Sequence, residues 1–270
     1  CSTSPWRGAL ITTTLLYKVT LMLNIVVPMA GLGSRYSKEG YALPKPLIDV
    51  MGKPMIKRVI DNLTPQREHR FIFIVRQEHV EQFHIDKLLH DSCKSCRIIS
   101  IDHVTEGQAC SALLARDYIN NNDPVMIANC DQYVRANMDD YLSEMERENA
   151  DGLIMTLKAY NPAWSYVKFG DNGLICEVVE KQVVSEHATV GIFNFARGKD
   201  FVWAAEEMIR QNLRVNGEFY VAPVYNMIIN KGAKVIPYNI GTVGNGMYGL
   251  GTPEELEWVM KNCPSIFEEE

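Results

Sequence analysis

The feature that most constrains the fold is a repeated alternation between short apolar runs and segments with helical spacing. The apolar runs are rich in Ile, Val and Phe, as is typical of strands buried on both faces, and lie at residues 23–27, 71–75, 97–101 and 125–128. Segments with helical spacing lie at residues 55–63, 79–89 and 107–119. This alternation predicts an α/β fold with a Rossmann-like, doubly wound, mixed but mainly parallel sheet and helices on both faces.

The second half of the sequence has a different pattern, which predicts an extension of the same sheet. Gly170-Asp171-Asn172-Gly173 between two apolar runs indicates a hairpin turn. Further strands are predicted at residues 188–195 and 234–238, and helices at residues 199–213 and 218–230. Thr252, followed by Pro253-Glu254-Glu255, indicates the start of a last helix.

Composition and charge exclude several classes of protein. The formal net charge is -6 and no dense run of Lys and Arg occurs, so we expect no nucleic-acid partner. Residues 9–23 are moderately apolar, but Lys18 and several threonines interrupt them, so we expect no membrane span. The seven scattered cysteines form no disulfide framework, which favours a cytoplasmic protein. Met22 directly precedes the first strand, and residues 1–21 are therefore treated as an N-terminal extension of unknown status.

Candidate ligand-binding residues follow the predicted strands, and ligands of doubly wound sheets bind beyond the carboxyl ends of the strands. Gly31-Leu32-Gly33-Ser34-Arg35 follows the first strand, where its backbone N–H groups suit a phosphate and Arg35 adds a bidentate donor. Pro44 and Pro46 flank Lys45 and restrict the direction of its side chain. Asp131 ends the fourth predicted strand, and its carboxylate is therefore expected at the same edge of the sheet as the glycine loop.

Three sequence motifs in order carry a resemblance to a known family. The pattern GxGxR, then PKPL, then GKPxI appears at residues 31–35, 44–47 and 52–56. It resembles the pattern of sugar-phosphate nucleotidyltransferases of the nucleotide-sugar pyrophosphorylase type. Further segments similar to that family, which extend the resemblance from residue 23 to about residue 261, lie at residues 105–109, 127–131, 178–181, 190–193 and 251–256.

The resemblance implies an enzyme that joins a nucleoside triphosphate to a sugar phosphate or similar small phosphorylated acceptor, with Mg²⁺, and releases pyrophosphate. It implies a single domain over residues 22–262, with a nucleotide-binding half at residues 22–150 and an acceptor-binding half at residues 151–262. It is compatible with a homo-oligomer, and it leaves the nucleotide base and the acceptor open.

Site residues are assigned by the same resemblance. The catalytic residues would be Arg35, Lys45, Asp131 and Lys181, with Asp131 also the metal ligand. The nucleotide would be bound by Ala30, Gly31, Leu32, Gly33, Ser34, Glu106, Gly107 and Asn129. The acceptor would be bound by Tyr166, Glu180 and Gly191.

The sequence also departs from the family pattern at three positions. Gly249 stands where many members carry a second metal-binding aspartate, two residues before the glycine of the closing Gly-Thr-Pro-Glu motif. Val167 follows Tyr166 where glycine is frequent, and Gln182 follows Lys181 where proline is frequent. These departures leave open whether the acceptor is an ordinary hexose phosphate and whether a second metal ligand exists.

Two alternatives from other classes remain open at this stage. A glycosyltransferase of related fold would consume a nucleotide-sugar, but such enzymes usually place a pair of aspartates at the strand end, and residues 129–131 contain one carboxylate. A non-catalytic nucleotide-binding protein is suggested by Gly249. Pyrophosphate release separates both alternatives from the transferase.

Overall fold

The computed structural model describes residues 21–268, and its main element is a large mixed β-sheet. The strands are β1 Leu23–Pro28, β2 Asp49–Val50, β3 Lys53–Pro54, β4 His69–Arg76, β5 Cys96–Ile101, β6 Val125–Ala128, β7 Gln132–Val134, β8 Gly152–Lys158, β9 Ser165–Phe169, β10 Ile175–Glu180, β11 His187–Phe195, β12 Val235–Val243 and β13 Gly246–Gly249. The α-helices are α1 Ser34–Lys38, α2 Met55–Leu63, α3 Gln77–Phe83, α4 Ile85–Ser92, α5 Gln108–Leu113, α6 Arg116–Ile119, α7 Met138–Arg147, α8 Gly198–Arg210, α9 Tyr225–Ile229 and α10 Pro253–Asn262. Short 3₁₀ helices lie at Lys45–Leu47, Ala222–Val224 and Pro264–Phe267.

Eleven strands form one sheet in the order β5-β4-β1-β6-β11-β8-β12-β13-β7, and the hairpin β9–β10 joins it where β9 pairs with β11. Strands β5, β4, β1 and β6 are parallel, whereas β11 runs antiparallel to both β6 and β8. The short strands β2 and β3 pair only with each other. The mixed, mainly parallel sheet predicted from the sequence is therefore confirmed, and it continues through the second half of the chain.

Helices cover both faces of this sheet, as its apolar strands require. In β1, Ile25 and Val27 belong to one buried cluster together with α2, α4 and α7. Val26 points to the other face, into a cluster with α5, α8 and α9. Each fully buried aliphatic side chain contributes about 1.5–3 kcal/mol relative to an exposed one. A strand that is apolar on both faces is thus stable only between two layers of helices.

Three predicted helices differ from the observed ones. The segment at residues 79–89 is divided into α3 and α4 by His84, which adopts a left-handed backbone with φ 49°. The segment at residues 107–119 is divided into α5 and α6. The segment at residues 218–230 is helical only from Ala222, because Phe219 is instead held by hydrogen bonds to the loop before α5 and Pro223 suits only a first helical turn.

Five strands were not predicted: β2, β3, β7, β8 and β13. β7 and β13 have three and four residues, too few for a periodic pattern, and they pair with each other at the end of the sheet.

Within residues 21–268, no helix is both long enough and apolar enough to cross a bilayer. The predicted N-terminal extension lies outside the described residues except for Leu21, which precedes β1.

Candidate functional site

A cavity of about 420 Å³ opens beyond the carboxyl end of β1. The loop after β1 forms one wall and residues 104–108 form another, with Gly217 and Glu218 completing the lining. Its lining includes the predicted nucleotide-binding residues Ala30, Gly31, Leu32, Gly33, Ser34, Glu106 and Gly107. The structure thus brings together every residue predicted to bind nucleotide except Asn129.

Backbone hydrogen bonds hold the second wall of this cavity in place. The Phe219 N–H donates to Glu106 O at 2.9 Å, and the Ala109 N–H donates to Phe219 O at 3.0 Å. Gly107 lies between these bonds with φ 137°, and a Cβ at this position would lie 2.4 Å from Phe219 O. Arg214 lies over the Phe219 ring at 4.0 Å and forms an ion pair with Glu106. Only glycine fits here, because any side chain would separate the two segments.

Lys45 and Asp131 form an ion pair at 2.6 Å between Nζ and Oδ2. Lys45 begins the 3₁₀ helix Lys45–Leu47, with a proline on each side, and Asp131 follows β6. Burial lowers the pKa of Lys45, but the charge of the Asp131 carboxylate and its hydrogen bond outweigh burial and raise that pKa above its ordinary value. The ammonium therefore stays charged at the end of the strand.

Glu255 is a second carboxylate beside Asp131 that the sequence analysis missed. A Cβ on Gly251 would lie 3.1 Å from Asp131 Oδ2 and 3.2 Å from Glu255 Oε2, so both carboxylates flank the same point. A Cβ on Gly249 would lie 3.1–3.3 Å from the Glu255 carboxyl group, which thus fills the space above that glycine. The only sequence signal was its place in the first turn of α10, where Glu255 Oε2 accepts a hydrogen bond from the Gly251 N–H.

Two carboxylates provide oxygen ligands of the type that Mg²⁺ prefers, and Mg²⁺ commonly binds through one or two carboxylates plus substrate phosphates. Among residues 21–268, no three His, Cys, Asp or Glu side chains are grouped to hold a metal ion. The donor set at Asp131 and Glu255 therefore fits a magnesium ion that takes its remaining ligands from water and phosphate.

A second cavity, of about 220 Å³, contains Glu180 and Gly191 from the predicted acceptor site. Trp164, Ser165 and Tyr220 also line it, and sequence reasoning identified none of them. Tyr166 is fully buried, its hydroxyl donates to Asn161 O at 2.8 Å, and it is not among the residues that line this cavity.

The charged groups of the predicted acceptor site are held by neighbouring side chains. Burial raises the pKa of Glu180, opposed by the hydrogen bond from Ser165 and the charge of Lys181. Lys181 adopts a left-handed backbone with φ 55°, and its ammonium donates to the Tyr220 hydroxyl and lies 4.4 Å from the ring centroid. Lys181 is thus placed beside a side chain that lines the cavity.

Arg35 lies on the exposed side of α1, one residue after Ser34, which lines the larger cavity. Asn129 lines the smaller cavity, and its Oδ1 accepts a hydrogen bond from Gln108 Nε2. Gln108 lines both cavities, so the two are adjacent.

Cys130 is buried, and burial raises the pKa of its thiol to about 11, which keeps it protonated near neutral pH.

Comparisons with known proteins show the family of this chain. The profile of the "Nucleotidyl transferase" family matches residues 26–215. The bifunctional protein GlmU of Thermodesulfovibrio yellowstonii is 24% identical over 257 residues, which cover 88% of this chain and 52% of that protein. The catalytic subunit beta of mannose-1-phosphate guanylyltransferase of Dictyostelium discoideum is 28% identical over 187 residues, which cover 64% of this chain and 50% of that protein.

Among solved structures, the nucleoside-diphosphate-sugar pyrophosphorylase of Vibrio cholerae RC9 has the same fold, with a TM-score of 0.73 at 24% identity, covering 88% of this chain and 100% of that one. The chain spans about half the length of the curated relatives it matches. Because the family profile covers well over half of the sequence, this chain belongs to the nucleotidyl transferase family.

Proposed function

We propose that this protein transfers a nucleotidyl group from a nucleoside triphosphate to a small phosphorylated acceptor, such as a sugar phosphate, and releases pyrophosphate. One observation carries the proposal: two adjacent cavities, one walled by the glycine loop and one containing Glu180, share Gln108. Two adjacent sites are what a reaction between a triphosphate and a second phosphate requires. Membership of the family supports the same reaction.

An oxygen of the acceptor phosphate attacks the α-phosphorus in line; the new P–O bond forms as the bond from the α-phosphorus to the pyrophosphate oxygen breaks. A phosphate monoester is largely ionised near neutral pH, so the chain needs no general base. Catalysis then consists of positioning and charge neutralisation. The glycine loop and Arg35 hold the triphosphate, Lys45 neutralises the departing pyrophosphate, and Lys181 orients the acceptor phosphate.

Asp131, with Glu255 beside it, would hold the magnesium ion, which supplies charge neutralisation at the phosphates when bound. Lys45 is ion-paired with the same Asp131 carboxylate, so its ammonium would add positive charge beside the residues that hold the ion. The six cysteines within the described residues are free thiols, which supports a reducing compartment such as the cytoplasm.

The test is release of pyrophosphate by the purified protein from each of the common nucleoside triphosphates, with Mg²⁺ and a panel of phosphorylated acceptors. The panel contains glucose 1-phosphate and mannose 1-phosphate, and reactions without an acceptor are the control. We expect pyrophosphate only where a triphosphate and an acceptor are both present. Triphosphate binding without pyrophosphate release for any pair would contradict the proposal and favour a non-catalytic nucleotide-binding protein.

A further inference from the structure

Three carboxamide side chains form a row from the nucleotide cavity into the acceptor cavity. Gln108 Nε2 donates to Asn129 Oδ1 at 2.5 Å, and Asn129 Nδ2 donates to Gln132 Oε1 at 3.5 Å. All three residues line the acceptor cavity, and Gln108 also lines the nucleotide cavity. We call this the amide row.

The hydrogen bonds give the amide row a direction. A carboxamide has one accepting oxygen and one donating nitrogen. The oxygen of Asn129 is used by Gln108, so its nitrogen faces Gln132, and the oxygen of Gln132 is used in turn. The group left at the end is the Gln132 amide nitrogen, a donor.

That donor is buried without a partner. Gln132 is 8% exposed, and its Nε2 has no hydrogen-bond partner within residues 21–268. Leaving a buried donor without a hydrogen bond destabilises a protein, and in native proteins such a group usually has a functional or structural explanation. Because Gln132 lines a cavity, a bound ligand is the most direct explanation for its unpaired donor.

The backbone of β11 leaves space for the amide nitrogens. Gly191 has φ 85°, at an irregularity in the pairing of β11 with β8. A Cβ here would lie 2.2 Å from Asn129 Nδ2 and 3.1 Å from Gln132 Nε2. Both nitrogens therefore face the position of Gly191, which also lines the acceptor cavity.

We propose that Gln132 is a specificity-determining residue for the acceptor, donating a hydrogen bond from Nε2 to a hydroxyl oxygen of the bound molecule. Glu180, which accepts hydrogen bonds when ionised, lines the same cavity. A donor and an acceptor facing one cavity suit hydroxyl groups, which both accept and donate. The ligand class is thus a polyhydroxylated phosphate, and this inference rests on the proposed function for the identity of the site.

The first test is direct binding, because it does not depend on turnover. Glucose 1-phosphate and mannose 1-phosphate are titrated by calorimetry into protein saturated with a non-hydrolysable triphosphate and Mg²⁺. Gln132→Met removes the donor at similar length, and Gln132→Glu replaces the nitrogen by oxygen at the same shape. We expect both variants to bind the tighter of the two sugar phosphates about tenfold to a hundredfold more weakly than the wild type, matching the cost of one buried donor.

Single-deoxy analogues of that sugar phosphate distinguish recognition from a structural role. For one hydroxyl position, the deoxy analogue should bind the wild type as weakly as the parent compound binds Gln132→Met, and the variant should lose nothing further. A structural role would instead weaken every analogue equally. Gln211→Met, on the exposed end of α8, is the matched control and should bind like the wild type.

Triphosphate affinity in the absence of acceptor should be unchanged in both Gln132 variants, which also shows that they fold. Unchanged sugar-phosphate affinity in both would overturn the inference, as would a wild type that binds neither sugar phosphate. Pyrophosphate release by the wild type is measured separately. If pyrophosphate is released but substitution of Gln132 leaves the sugar-phosphate affinity unchanged, only the inference fails. If no pyrophosphate is released, the proposed function fails independently of the binding result.

Discussion

At the scale of single residues, the ion pair of Lys45 with Asp131 dominates the candidate site. Both side chains are largely buried, with 20% and 23% of their surfaces exposed, and they come from segments 86 positions apart. Removing one partner of such a pair leaves the other charge partly desolvated and unpaired. This lowers the free energy of unfolding more than the loss of an exposed ion pair does.

We therefore expect Asp131→Asn to lower the free energy of unfolding by about 1–3 kcal/mol, the cost of leaving a charged, partly buried group without its partner. The double variant Lys45→Met/Asp131→Asn should recover part of this loss, because no unpaired charge remains. Urea denaturation measures both. Asp171→Asn, in an exposed turn, is the control, and equal stability of Asp131→Asn and the wild type would contradict the expectation.

Arg35→Ala should lower turnover by about 10²- to 10³-fold, the loss typical of removing one preorganised donor from a developing charge. Its place directly after the glycine loop motivates this prediction. Lys38→Ala is the matched control, since Lys38 is also a basic, exposed residue of α1. Stability should change by less than about 0.5 kcal/mol in both variants. Near wild-type turnover of Arg35→Ala would remove Arg35 from the triphosphate site.

Single residues also show the limit of sequence reasoning. Asp131 was recognisable from its position after an apolar run, but its ion pair was not, because its partner Lys45 lies 86 positions away in the chain. Gln132 gave no signal of its own, and Glu255 gave only its place in the first turn of α10, since distant segments of the chain bring each of them to the site. Gln132 pairs with Gly249 across β7 and β13, two strands too short to predict.

At the scale of elements, the loop before α5 is held in place by a segment that was expected to be helical. The backbone N–H and C=O of Phe219 each form a hydrogen bond with that loop. Residues 218–230 do have apolar residues at helical spacing, but the backbone of Phe219 forms its hydrogen bonds with Glu106 and Ala109 and not within a helix. A long-range contact of this kind overrides helical periodicity, whereas the buried strands of the first half, whose pattern depends on local burial, were located closely.

Gly107→Ala should weaken triphosphate binding by about tenfold or more, because the new Cβ would force Phe219 and the cavity wall apart. The control is Gly173→Ala, since Gly173 also has a positive φ, of 75°, but no atom lies within 4 Å of its Cβ position. That control shows the effect of the substitution at a positive φ where no steric clash arises. Fluorescence titration of a labelled triphosphate measures the affinities, and equal binding by Gly107→Ala and the wild type would show that this wall does not contact the nucleotide.

His79, in α3, should make the protein less stable in weak acid. Burial, and secondarily Arg76, lowers the pKa of His79 below its ordinary value of 6.5, against the opposite effect of Glu78. As pH falls through that value the unfolded chain binds a proton that the folded chain does not, so the free energy of unfolding decreases. His79→Gln should reduce the difference in stability between about pH 7.5 and about pH 5.5, whereas His103→Gln, an exposed control, should not. An unchanged pH dependence in His79→Gln would contradict this explanation.

At the scale of the whole molecule, the two candidate cavities depend on the continuous sheet. β1 and β6 place the glycine loop and Asp131 at neighbouring carboxyl ends, and β11, antiparallel to β6, brings Gly191 next to Asn129. The hairpin β9–β10 adds Glu180, and α10 returns Glu255 to Asp131 from the other end of the chain. The two carboxylates thus come from segments that only the complete fold brings together.

This assembly leads to the last prediction, on magnesium. The two carboxylates supply few of the ligands that Mg²⁺ needs, and Lys45 already neutralises one of them. Mg²⁺ should therefore bind weakly to the free protein and much more tightly once a triphosphate supplies phosphate oxygens, which calorimetric titration with and without a non-hydrolysable triphosphate will measure. In the loaded protein, Glu255→Gln should weaken binding by about tenfold, the loss of one nearby carboxylate. Glu254→Gln, its exposed neighbour in the first turn of α10, removes the same charge from the same helix end and should leave the affinity unchanged. Equal effects of the two variants would mean that Glu255 acts only through its charge on the helix, and tight binding to the free protein would require a further ligand beyond Asp131 and Glu255.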